Sequence, residues 1–183
     1  MNTNIRQNTK TLDIVYIGAF VAIMAICSWI SIPAAVPFTL QTMGVFTTVG
    51  ILGGRRGTLA VLAYMLLGAV GVPVFAGFSG GIGVIMGTTG GYIVGFLFSA
   101  LIMWGMEKMF GNSKLVLAIS MITGLLACYA VGTIWFMIVY TQSSGAVGLW
   151  TVLWWCVIPF IIPDLIKISV SLLLSGRLKR FVK

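Results

Sequence analysis

Histidine is absent from this 183-residue chain, acids number only three (Asp13, Glu107 and Asp164), and charged residues of both signs make up 8% of it. Each shortage excludes something. Ordinary soluble domains carry about 25% charged residues, so a chain that is 60% hydrophobic, with a mean hydropathy of +1.12, has too little polar surface for water. Without histidine, metal coordination and general acid–base catalysis have almost nothing to draw on. The chain is therefore expected to be no enzyme and to hold neither metal nor cofactor. Cys27, Cys128 and Cys156 lie far apart inside apolar runs; an odd, scattered count gives neither a disulfide framework nor a metal spacing, and they read as lipid-phase or packing residues.

Lysine and arginine are also missing between Arg56 and Lys108. A P-loop needs G-x-x-x-x-G-K-[ST], so the glycine-rich centre of the chain cannot cradle nucleotide phosphate. Energy for active transport must then come from a partner or an ion gradient.

What is present is apolar length. With Pro, Gly and charge as punctuation, six apolar segments emerge, at roughly 12–32, 38–54, 57–72, 88–110, 115–140 and 148–176. In hydrocarbon every backbone N–H and C=O must be satisfied internally, and these runs lack the alternation of a barrel strand. They predict a single all-α integral membrane domain over residues 1–183, with six transmembrane helices in contact with lipid. The second is short: the 17 residues between Pro37 and Arg55 span about 26 Å as helix, near the lower limit for a bilayer core.

The net charge of +8 is a topology signal. Arg6, Lys10, Arg55, Arg56, Lys108, Lys114, Arg177, Lys179, Arg180 and Lys183 all fall on the side that an even number of crossings makes common, whereas connections 33–37, 73–87 and 141–147 carry no Lys or Arg. The positive-inside rule then puts both termini in the cytoplasm of a plasma-membrane protein. A nucleic-acid partner would need a continuous basic patch, which this dispersion excludes. Trp150, Trp154 and Trp155 suit an aromatic belt at the outer interface. A cleavable signal peptide is rejected, because no clean small-x-small site follows the first apolar run and cleavage would spoil the charge alternation.

Lys167 is the eleventh cation and the exception. It lies ten residues before Arg177, about 15 Å along a helix, near the middle of the membrane. Asp164 precedes it by three residues, on the same helix face. A charge at that depth costs ~2.5–3.5 kcal/mol on insertion scales and typically lines a cavity or a substrate path. Pro159 and Pro163 are expected to interrupt the helix there, freeing backbone groups for a midplane site. A self-neutralising structural ion pair is the alternative; against it stands the cost of desolvating both ions, which a polar ligand's hydrogen bonds would offset.

From Gly71 to Gly91 the chain holds eight glycines in 21 residues. Its first part reads as an outer loop between helices 3 and 4. Gly83, Gly87, Gly91 and Gly95, extended by Ser79 and Ser99, recur every fourth residue, a row that admits either a neighbouring helix or a ligand close to the backbone. Two polar spots, Pro37–Gln41 and Thr88–Tyr92, also lie towards the outer side.

The runs VPFTLQ (36–41), LGGRRG (52–57), YMLLGAVGVPVFAGFSGGIG (64–83), TTGGYIVGF (88–96) and PDLIK (163–167), taken together and in this order, resemble the BioY family, the biotin-binding S components of energy-coupling-factor (ECF) vitamin transporters. One departure is that Thr88 stands where the family usually has proline. The resemblance implies a six-helix subunit that captures biotin from outside and delivers it inward when joined to a transmembrane coupling subunit and two ATPase subunits. Asp164 can accept from ureido N–H groups, and Lys167 can donate to the ureido carbonyl or pair with the ligand carboxylate. Phe75 and Tyr92 are candidate ring walls; Gln41, Ser79 and Thr88 are candidate polar contacts. S components often present Ala-x-x-x-Ala to the coupling subunit, and the nearest match here is Gly18-x-x-x-Ala22. A stand-alone secondary carrier for biotin or a related small carboxylate is the competing function.

Overall fold

The computed structural model describes residues 2–33 and 36–182, with the side chains of 2–10 outside that description. Arg6, Lys10 and Lys183 of the topology argument therefore have no described side chains. The helices are α1 (Asn2–Trp29), α2 (Gln41–Leu52), α3 (Gly54–Ala69), α4 (Ile82–Met86), α5 (Gly90–Phe110), α6 (Lys114–Ser144), α7 (Leu149–Cys156) and α8 (Ile158–Leu178), with 3-10 turns at Ala76–Phe78 and Lys179–Phe181. Strands β1 (Ser31–Ile32) and β2 (Phe38–Thr39) pair antiparallel, Ser31 opposite Thr39. Four stretches, Thr11–Trp29, Gly90–Phe110, Lys114–Ser144 and Ile158–Phe181, are long and apolar enough to cross a membrane. The protein is a multi-pass helical membrane protein.

The short α2 is the centre of the bundle, touching α1, α3, α5 and α8. Eleven of its 12 residues are buried, the pattern of a helix enclosed on all sides. At about 18 Å it is shorter than a bilayer core. Two of its hydroxyls are tied down in a network, as burial favours: Thr48 donates to the Gly44 carbonyl at 2.7 Å, Thr47 to Ser171 of α8 at 3.1 Å, and Ser171 to the Met43 carbonyl at 3.3 Å.

Between α2 and α3 the chain reverses at Gly53, whose φ of +80° belongs to the left-handed region that glycine enters without steric cost. The Gly54 N–H that follows donates to the carboxylate of Glu107 on α5, which also accepts from Asn112 Nδ2 at 2.8 Å. A carboxylate there satisfies a free N–H and faces the positive end of the α3 dipole. Glu107→Gln is expected to lower stability by about 1–2 kcal/mol, read as a lower midpoint of thermal unfolding in detergent; an unchanged midpoint would remove this capping role. Nearby, Arg56 pairs with Asp13 at 2.8 Å. One groove at this end holds Asp13, Arg55, Arg56, Glu107 and Lys108, and a second holds Lys114, Arg177 and Lys179. The described charges other than the Asp164–Lys167 pair thus gather towards one end of the bundle.

Helix boundaries differ from the sequence expectation in places with a physical cause. The first apolar run stops at Trp29, where the chain turns into β1, and the second starts as β2, so its helix begins only at Gln41. The third helix spans 54–69 rather than 57–72, so Arg55 and Arg56 ride on its first turn. The fourth and fifth cover 90–110 and 114–144. The last apolar run, 148–176, is two helices, broken at Val157 (φ −126°, ψ −58°). Pro159 is tolerated in the first turn of α8 because its missing N–H has no intrahelical acceptor there. Pro163 does not interrupt the helix as expected; it lies inside continuous α8.

The glycine row also divides. Gly83 and Gly87 lie in and just after α4, and a Cβ on Gly83 would meet nothing within 4 Å. Gly91 and Gly95 belong to α5 and pack on α6, where a Cβ would strike Trp135 and Cys128 respectively. Ser99 continues that contact by donating to the Gly124 carbonyl at 2.6 Å. Helix packing thus accounts for the α5 half of the row.

Candidate functional site

At the end of the bundle remote from the charged grooves, where α2, α5 and α8 begin, a mostly apolar cavity opens. Its empty space is about 820 Å³, the open solvent at its mouth included. Asp164 and Lys167 from α8 project into it, 3% and 5% exposed, with Lys167 Nζ donating to Asp164 Oδ1 at 2.8 Å. The second carboxylate oxygen accepts a 2.6 Å hydrogen bond from the hydroxyl of Tyr129 on α6. On its other side, Lys167 Nζ sits 4.4 Å from the centroid of the Phe38 ring, which stacks on Phe160. The lysine is thus held between a carboxylate and an aromatic face, both favourable to a desolvated cation.

Gln41 lines the cavity from the first turn of α2. Tyr64 gives its one proton to the Val74 carbonyl at 2.8 Å, so its oxygen accepts from Gln41 Nε2 at 2.7 Å. That orientation leaves the Gln41 amide oxygen for a donor in the cavity. Ser28 of α1 also donates to Val74. One carbonyl of the glycine-rich segment is thereby tied to α1 and α3, and through Tyr64 to α2.

The aromatic walls are seated on glycines. Phe75 packs edge-on against Tyr64, its ring over Gly68, and Tyr92 lies over Gly132 of α6; a Cβ at either glycine would collide with the ring. Tyr92 also approaches the Thr133 hydroxyl at 3.5 Å. Free Cys128 and Cys156 both contribute to the lining, beyond the packing role expected of them.

Six of the seven residues expected at a ligand site, Gln41, Phe75, Ser79, Tyr92, Asp164 and Lys167, line this one cavity. Thr88 does not; it lies in the turn before α5, and its neighbour Thr89, which immediately precedes that helix, takes the lining position. Ser79 donates to the Ala76 carbonyl at 2.8 Å, holding the 3-10 turn beside Phe75. Gly18 and Ala22 are far from the cavity on an exposed face of α1. Tyr129 and Tyr64 were not expected. The available signal was weak: a tyrosine far from either end of an apolar run, where its hydroxyl needs a partner.

The fold and the cavity define a polytopic helical membrane protein that encloses an apolar chamber around a buried ion pair. Its sequence matches the BioY family over residues 1–183, and the chain belongs to that family. It is 40% identical over 166 residues (89% of this chain, 93% of the other) to a protein of Thermotoga maritima named biotin transporter BioY. With a Pyrococcus horikoshii protein named probable biotin transporter BioY it shares 36% over 172 residues (93% and 98%). Among solved structures, a crystal structure of the S-component for biotin from an ECF-type ABC transporter superposes with a TM-score of 0.84 at 28% identity, covering 98% of this chain and 95% of that one. This is a family of transporter components and not of enzymes.

Proposed function

We propose that this chain is the biotin-binding S component of an ECF-type uptake transporter. It spans the plasma membrane six times with both termini in the cytoplasm, captures biotin from outside and delivers it inward with a transmembrane coupling subunit and two ATPase subunits. The observation that carries this reading is the Asp164–Lys167 pair buried in an apolar chamber, in a chain whose relatives are named biotin transporters.

Biotin offers an apolar bicycle and valeryl chain, a ureido group with two N–H donors and one acceptor, and a carboxylate. The chamber offers complements to each. Asp164 and the Gln41 amide oxygen accept N–H donors, Lys167 has two further N–H groups for an acceptor, and Phe75, Tyr92 and Phe96 supply apolar wall. The cytoplasmic assignment of the termini rests on the collection of cations towards one end of the bundle. Gly18 and Ala22, exposed on α1 with room for close approach, are the proposed contact for the coupling subunit.

Isothermal titration calorimetry of the purified full chain in detergent is expected to show one saturable biotin site per chain. An absence of binding heat together with no biotin in the protein by mass spectrometry overturns the proposal. Uptake into proteoliposomes is expected only when the coupling subunit, the ATPases and ATP are added; uptake by this chain alone would establish a secondary carrier instead.

A further inference from the structure

The charged end of the bundle contains a second recognition surface, separate from the chamber. Between the start of α6 and the end of α8 lies an open groove of about 1500 Å³. Lys114, Arg177 and Lys179 line it, and no acid does. Among the described residues, none of these three cations forms an ion pair. The neighbouring groove differs in this respect: its cations Arg55, Arg56 and Lys108 share it with Asp13 and Glu107, and Arg56 is paired with Asp13.

The apolar part of the α6–α8 groove is ordered by depth. Leu117 follows Lys114 by three residues on α6, and Leu173 precedes Arg177 by four on α8, so two of the three cations have a leucine one turn deeper on their own helix face. Leu172 lines the same wall, and Leu173 is 65% exposed. A surface with unpaired cations at its rim and leucines one turn further into the bundle is complementary to an amphiphile with an anionic head. In a membrane protein whose cations stand at the end of its helices, that rim lies at headgroup depth, where basic pockets between helices bind anionic lipid.

We propose that the α6–α8 groove binds an anionic phospholipid, its phosphate on Lys114, Arg177 and Lys179 and an acyl chain along Leu117, Leu172 and Leu173. The site ties the end of α8, the helix that carries Asp164 and Lys167, to the lipid composition of that leaflet.

The test is native mass spectrometry of the full chain in detergent, titrated with phosphatidylglycerol or with phosphatidylcholine of the same acyl chains. The wild type is expected to retain phosphatidylglycerol preferentially, and the triple variant Lys114→Gln/Arg177→Gln/Lys179→Gln to lose that preference by about a hundredfold in affinity, given the typical attraction per basic residue near an anionic surface. The control Arg55→Gln/Lys108→Gln is expected to keep it. Equal retention of the two lipids by the wild type overturns the proposal without any variant being needed. So does a loss in the control as large as in the triple variant, which would mark a diffuse charge effect. Displacement of the lipid by millimolar inorganic phosphate alone would reduce the groove to an anion site and overturn the acyl-chain part. Biotin titration of the triple variant is expected to match the wild type, so failure here is distinguishable from failure of the transport reading.

Discussion

Lys167→Ala is expected to weaken biotin binding by at least about a hundredfold and to destabilise the protein at the same time. Removing the lysine leaves Asp164, 3% exposed, with the Tyr129 hydroxyl as its one remaining partner. Breaking one half of a buried pair typically costs about 3–5 kcal/mol, because the surviving charge stays desolvated. Asp164→Asn is expected to act similarly from the other side, leaving Lys167 with the Phe38 ring. The double variant Asp164→Asn/Lys167→Ala separates the two roles. With neither charge buried, its thermal midpoint is expected to recover most of the way towards wild type. Its affinity is not, since both proposed ligand partners are gone. Calorimetry and thermal unfolding on the same three preparations decide the matter: a double variant that binds biotin within a few-fold of wild type would show that the pair serves only the fold.

The pair was legible in the sequence because charge inside an apolar run has no cheap explanation. Asp164 and Lys167 stand out by composition alone, and the placement of the other cations on one side leaves them without a topological role. The partners that complete the site carry no such mark. Tyr129 lies in an apolar stretch of α6, where a tyrosine has the same sequence appearance whether its hydroxyl meets Asp164 or a membrane interface. Tyr64 and Ser28 converge on Val74 across gaps of 10 and 46 residues, a convergence only the tertiary fold creates. The same limit applies to α2. Its brevity was visible between Pro37 and Arg55, but its position as the enclosed central helix depends on which helices surround it. Thr88 and Thr89 show how fine the limit is. The polar spot was correctly placed at the start of a helix, and the one-residue difference between facing the chamber and standing outside it depends on where the turn ends and α5 begins.

Gly132→Ala is expected to cost biotin affinity about tenfold or more, although Gly132 offers no side chain to a ligand. A Cβ at this position would occupy the space of the Tyr92 ring, and α5 cannot back away. Gly91 lies against Trp135, Gly95 against Cys128, and Ser99 is hydrogen-bonded to Gly124, so the two helices are already in close contact over three turns. The ring must therefore turn into the chamber it walls. Overpacking of this kind costs about 1–3 kcal/mol in stability, and a displaced wall removes room that the ligand needs, so tenfold or greater loss of affinity is expected from the same energy. Tyr92→Ala supplies the check. In its background there is no ring to displace, and Gly132→Ala should then change the thermal midpoint little, leaving a strong coupling between the two positions in the double-mutant cycle. Additive effects of the two substitutions would show that the ring does not rest on Gly132, and that close packing of α5 on α6, rather than the seating of Tyr92, is what this glycine serves.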